Sequence, residues 1–172
     1  MKKKLINLFI VFLIILFVII SFISYNEWPM LTGNKIVLAT QPVDPFDPFR
    51  GQYMIINYEI SNLKNTEEFE EGDKIYVLLE EDNENIWRFK KSLRVKPLKG
   101  DFIKGEVENA MRGNINVRYG TEQFFFERHA DVPTTNITVE VSVTNSGRAI
   151  FSQLLQHGKP VEIEYENIEF TS

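Results

Sequence analysis

Residues 136–144 read Asn-Ile-Thr-Val-Glu-Val-Ser-Val-Thr, and this stretch decides the fold class. Ile137, Val139, Val141 and Val143 fall on one side, with Asn136, Thr138, Glu140, Ser142 and Thr144 on the other. A strict period of two is the mark of a half-buried β-strand, because successive side chains of a strand point to opposite faces. A helix would scatter the same valines around its circumference. Working outward, Asn145-Ser146-Gly147 has turn chemistry, and residues 148–156 fit either a strand or one short helix. Gly158 turns the chain again, and residues 160–166 alternate Val161, Ile163 and Tyr165 against Glu162, Glu164 and Glu166.

The same period runs upstream. Residues 35–41 form a short strand with Ile36, Val37 and Leu38 apolar, and residues 52–60 place Met54, Ile56, Tyr58 and Ile60 on one face. Residues 61–73 are polar and acidic, which predicts a loop with at most one helical turn, closed by Gly72. Residues 74–79 turn Ile75, Val77 and Leu79 to one side, and residues 81–85 make a hairpin turn. The return strand is expected to align Trp87, Phe89, Leu93 and Val95 opposite Arg88, Lys90, Arg94 and Lys96. That basic row predicts a solvated face with cross-strand ion pairs rather than a ligand groove. In residues 102–108 Ile103 and Val107 face inward, and Gly105 marks a bulge or a close backbone approach. Residues 114–120 alternate again, and Phe124, Phe125 and Phe126 are expected at the centre of the core. Roughly eight to ten short strands with frequent turns predict a mainly β domain, an antiparallel sandwich or a partly open barrel.

One segment departs from this pattern. Residues 5–24 are Leu, Ile, Val and Phe, broken only by Asn7, Ser21 and Ser24, and carry no charge. About 20 such residues span a ~30 Å hydrocarbon layer as a helix. The run exceeds the ~7–15 apolar residues of a signal peptide, and no small-residue cleavage site follows it. Lys2, Lys3 and Lys4 precede it, so the positive-inside rule places the N-terminus in the cytoplasm and the rest outside. The expected organisation is a cytoplasmic end and anchor at 1–25, a juxtamembrane linker at 26–34 and an extracytoplasmic β domain at 35–172. Membrane lipid is then a partner through residues 5–24.

Charge and composition narrow the function. Three of the 19 basic residues precede the anchor, so the remainder holds 16 basic and 24 acidic residues, a net charge of −8. Nucleic-acid binding calls for a basic footprint instead. Cysteine is absent, which removes disulfides, thiolate nucleophiles and thiolate metal sites. No cofactor is implied.

The candidate site is residues 40–58, TQPVDPFDPFRGQYMIINY. Pro42, Pro45 and Pro48 recur every third residue, as do Asp44, Asp47 and Arg50, and Val43, Phe46 and Phe49. A polyproline-II ribbon has three residues per turn, so the segment has a proline edge, a charged edge and an apolar edge. Asp44 and Asp47 invite a metal or acid/base reading. Yet residues three apart on such a ribbon lie roughly 9 Å apart along its axis, too far to share a proton or one hard cation. Turn capping by each Asp, answered by Arg50, suits the spacing better. His129 with Glu127 and Asp131, and Arg118 as an anion site, are lesser candidates.

This stretch resembles the GDYXXLXY family of bacterial proteins, whose motif falls on Gly51, Gln52, Tyr53, Ile56 and Tyr58. Pro42-Val43-Asp44-Pro45, Asp47, Arg50, and Arg118-Tyr119-Gly120 before the phenylalanine run are similar too. Gln52 replaces the motif's acid, and Ile56 its leucine. The resemblance implies a membrane-anchored protein of uncharacterised function and supplies no reaction. The expected role is an interaction module binding another membrane or cell-envelope protein, or a ligand, through Asp44, Asp47, Arg50, Gly51, Tyr53, Tyr58, Arg118 and Tyr119. The alternative is a metal-dependent or acid/base hydrolase using Asp44 and Asp47.

Overall fold

The computed structural model describes residues 2–41, 53–125, 130–131, 133, 135–162 and 164–165. Helix α1 (Lys2–Thr32) comes first. Its segment Lys4–Tyr25 is long and apolar enough to cross a membrane, and none of it is buried against the rest of the chain. The helix runs on to Thr32, through most of the stretch expected as a linker.

The strands follow as β1 (Asn34–Ala39), β2 (Tyr53–Ile55), β3 (Asn62–Lys64), β4 (Lys74–Glu81), β5 (Trp87–Leu93), β6 (Phe102–Met111) and β7 (Asn114–Arg118). After them come β8 (Gln123–Phe125), β9 (Ala130–Asp131), β10 (Ile137–Val143), β11 (Ala149–Gln156), β12 (Lys159–Pro160) and β13 (Glu164–Tyr165). Nine of them form one sheet in the order β12-β11-β10-β1-β5-β4-β6-β7-β3. β2 with β8, and β13 with β9, make two short antiparallel ladders.

The expected mainly β class is the observed one, with a sheet that is mixed rather than wholly antiparallel. β1 meets β5 in parallel at Leu38 and Trp87. Parallel neighbours need a long crossover instead of a hairpin. The chain makes that crossover by leaving β1, entering the far edge at β3 and working back through β4. The sheet does not close into a barrel. It curls far enough that the Lys104 N–H on β6 donates to the Gly147 carbonyl in the β10–β11 turn, at 2.8 Å.

Inside the curl the alternating faces merge into one core. Ile36 and Leu38 of β1, Ile75 and Val77 of β4, Ile103 and Val107 of β6, and Val139 and Val141 of β10 are all buried there. β10 is the strand its alternation predicts, and it lies between β1 and β11. Residues 148–156, ambiguous in sequence, complete a strand because β10 pairs with them along its length.

Three expectations change. In β5, Phe89 pairs with Leu79 but Lys91 pairs with Leu78, so Lys90 is an extra residue. A one-residue slip turns every later side chain over. Ser92 therefore takes the buried core position opposite Val77, while Leu93 moves to the outer face and Val95 is exposed. Within the acidic loop, residues 62–64 form the edge strand β3, which buries Leu63 beside Ile115 of β7. The phenylalanine run is not central. Phe124 is half-buried at 5.1 Å from Phe151, Phe125 is exposed, and Phe126 lies outside the described residues.

Candidate functional site

Residues 42–52 lie outside the described residues, and with them Asp44, Asp47, Arg50, Gly51 and Gln52. What the structure defines is the frame that holds both ends of this segment. At the leading end, the Gln41 N–H donates to the Asn57 carbonyl at 2.7 Å, and Thr40 forms a β-bridge with Tyr58. The Thr40 hydroxyl adds a 2.6 Å bond to the Ile137 carbonyl, which ties this corner to β10. At the trailing end, the backbone of Tyr53 pairs with Phe125 across the β2–β8 ladder. Three residues on, the Ile56 N–H donates to the Glu122 carbonyl at 2.6 Å.

Below this frame stand two tyrosines. Tyr58 is fully buried, as its alternation with Met54 and Ile56 requires, and its hydroxyl donates to the Thr121 carbonyl at 2.8 Å. Tyr119 donates to the Ile60 carbonyl at 2.6 Å. The rings meet edge to face at 6.3 Å, the arrangement aromatic quadrupoles favour. Glu122 accepts the backbone N–H groups of Tyr119 and Gly120, which fixes the turn that carries Thr121. Burial pushes both phenols well above their ordinary pKa, and the Glu122 charge adds to this. Each hydroxyl stays protonated and donates its proton to a backbone carbonyl. The arrangement suits them to holding the frame.

Arg118 is exposed and reaches Glu106 and Glu108 across the sheet at 3.9 Å each, contacts of small energetic value at a surface. The basic row on β5 is largely paired. Arg88 bonds Asp82 and Glu59, and Lys90 approaches Glu80 at 3.1 Å. Arg94 donates to Asp73 and to the carbonyls of Glu67 and Glu68 while lying over the Phe69 ring. Sequence reasoning missed this anchoring role for Arg94. The buried Phe69, the one aromatic residue of the acidic 61–73 stretch, was the available signal.

His129 and Glu127 lie outside the described residues, and His157 sits exposed in the β11–β12 turn. Among the described residues no group of three His, Asp or Glu side chains stands close enough to hold a metal ion. A surface recess of about 610 Å³ opens beside Thr40, lined also by Glu84, Asn85, Asn136 and His157. It adjoins the corner where the 42–52 segment departs.

The spacing of Gly51, Tyr53, Ile56 and Tyr58 belongs to a longer pattern. Residues 15–154 match the family described as GDYXXLXY protein. The chain belongs to the GDYXXLXY family. The match begins inside α1 and ends in β11, so it takes in every strand of the main sheet but β12. No curated protein and no solved structure matches the chain. Against the fold, the second half of the GDYXXLXY motif is core: Ile56 and Tyr58 are both fully buried. Ile56 keeps the apolar character of the leucine it replaces.

Proposed function

We propose that this GDYXXLXY protein is a single-pass membrane-tethered interaction module with its β domain on the extracytoplasmic side. In this reading the 42–52 segment is the recognition element. Asp44, Asp47 and Arg50 form its charged edge, while Tyr58 and Tyr119 act beneath it as supports. The observation that carries the reading is the frame: the chain on both sides of the segment is hydrogen-bonded into the β domain, from Gln41 to Asn57 and from Ile56 to Glu122. Binding residues are disproportionately placed on loops positioned in this way. Proline-rich segments are also cheap to immobilise, since their free ensemble is already narrow. The lysines at positions 2–4 support the orientation.

The test places a photo-crosslinking residue at Phe46 or Phe49 in the full-length chain in its native membrane. Capture of one partner that is lost with Arg50→Ala or Asp47→Ala, in variants that melt like the parent, supports the reading. Variants that unfold while capture tracks only the amount of folded protein would make the segment a structural strut. A reporter fused after Ser172 should be active outside the cytoplasm; cytoplasmic activity overturns the orientation.

A further inference from the structure

Between β5 and β6 the chain crosses the outer face of β4 as residues 94–101, Arg-Val-Lys-Pro-Leu-Lys-Gly-Asp. Its base is fixed. The Leu79 N–H donates to the Asp101 carbonyl at 2.9 Å, and Gly100, at φ +92°, packs against the Leu78 side chain. Pro97 is half-buried and the Lys96 ammonium lies 5.9 Å above the Phe102 ring, but the apolar side chains beside them are open: Leu98 is 102 % exposed and Val95 73 % exposed. Single exposed apolar residues are ordinary on soluble surfaces. Here two of them alternate with Lys96 and Lys99 on one short loop.

The position of the loop gives the pattern its meaning. Residues 96–102 share a recess of about 250 Å³ with Asn34, Thr144 and Asn145. Asn34 comes two residues after the last helical residue, Thr32, and α1 itself touches β10 and β11. Seven helical residues, 26–32, follow Tyr25, the end of the apolar span. At ~1.5 Å per residue that is roughly 10 Å of rise. The headgroup layer adds roughly 5–7 Å on each side of the hydrocarbon. The start of β1, and the loop beside it, therefore stand just above the lipid headgroups.

We propose that the 95–99 loop is a second membrane contact, in which Leu98 and Val95 enter the interface while Lys96 and Lys99 meet anionic headgroups. The proposal rests on α1 being the membrane anchor. The domain beyond the anchor carries a net charge of −8, so an anionic surface repels most of it. A small basic, apolar-tipped patch beside the tether selects the end of the domain that faces lipid. Met111 lies at the opposite end of β6 from Phe102, nine residues or ~30 Å away, and is also exposed. It serves as the internal control.

The chain contains no cysteine, so Leu98→Cys and Met111→Cys each create a unique labelling site. The full-length protein, labelled with an environment-sensitive fluorophore, is reconstituted into phosphatidylcholine vesicles with and without phosphatidylglycerol. Emission from position 98 should shift to the blue and be quenched by headgroup-attached nitroxides, more strongly with phosphatidylglycerol and less in high salt. Emission from position 111 should stay water-like. Lys96→Glu with Lys99→Glu should abolish the phosphatidylglycerol dependence. A water-like signal at 98 in chains that resist carbonate extraction overturns the proposal. Extraction of the chain would instead sink the anchor reading. A label that is water-like in vesicles but shielded in native membranes would assign the loop to a protein partner and also overturn the proposal.

Discussion

Gly105 sits in the middle of β6 with ordinary strand geometry, so its role is spatial. A Cβ built there would stand 2.5 Å from Val117 Cγ1, 3.0 Å from the Arg118 carbonyl oxygen and 3.0 Å from Tyr119 Cδ1. Favourable carbon contacts lie at ~3.5–4.0 Å, so Gly105→Ala places a methyl group a full ångström inside the wall of β7. Val117 is buried at 1 % exposure and cannot swing outward, and one of the three neighbours is backbone. Overpacking of this kind costs about 1–3 kcal/mol, and the backbone contact puts this case at the upper end. For a domain of this size each kcal/mol lowers Tm by roughly 3 °C, so a fall of roughly 6–9 °C is expected. Urea unfolding of the full chain in detergent, followed by tryptophan fluorescence, measures it. Val117→Ala should destabilise the parent but rescue part of the Gly105→Ala loss, a coupling of about 0.5–2 kcal/mol. If Gly105→Ala melts within about 0.5 kcal/mol of the parent, or the two changes simply add, the close-approach reasoning is wrong.

The buried phenols make stability fall in alkali. Both folded pKa values lie above the unfolded value of ~10, so stability is complete below that pH. Above it the unfolded chain releases two protons that the native state keeps, a loss of about 2.7 kcal/mol per pH unit. Tyr58→Phe should halve that slope in urea melts taken across alkaline pH, and an unchanged slope would refute the assignment. Asp82 works at the other end of the scale. The Ile86 N–H and then the Arg88 side chain hold its carboxyl below the ordinary range. Its contribution to the β4–β5 turn is therefore present above that range and lost as pH falls through the depressed folded value. Asp82→Ala should flatten the acid limb of a Tm-versus-pH curve. In the acidic loop, Asn65 accepts from the Phe69 N–H at 2.7 Å and donates to the Phe69 carbonyl at 2.9 Å. Asn65→Ala should cost about 1–2 kcal/mol and speed amide exchange at Phe69.

How much of this was legible in sequence depends on how each residue interacts. β10 was readable because its two faces differ at every position, and β7 follows the same rule, while β1, β4 and β6 keep enough alternation to be found. β5 was misread beyond Phe89 because the single inserted Lys90 leaves no compositional trace, yet inverts the faces after it. β3 was hidden because Leu63 is its only apolar residue and the rest resembles the loop around it. In the candidate site, the inward position of Tyr58 followed from its alternation with Met54. Its hydrogen-bond partner did not: Thr121 is 63 residues away and is brought there by the sheet. The frame around residues 42–52 depends on such long-range backbone bonds, which local patterns do not encode. Gly105 was expected to mark a bulge or a close approach. It marks the approach, while the bulge falls further along, between Val107 and Asn109.

The pairing of β1 with β10 also sets an order in time. Asn34 lies opposite Val143, so the strand that follows α1 waits for a partner made 109 residues later. At ~5–20 residues per second, synthesis needs roughly 5–22 s to supply it. Throughout that interval β1 lacks its antiparallel partner, and an unpaired strand edge is the kind that templates aggregation. The first strand of the domain to be made is thus one that closes only when β10 arrives, late in the chain. A slow folding step is expected at that seam, because its pairing spans so long a stretch of chain.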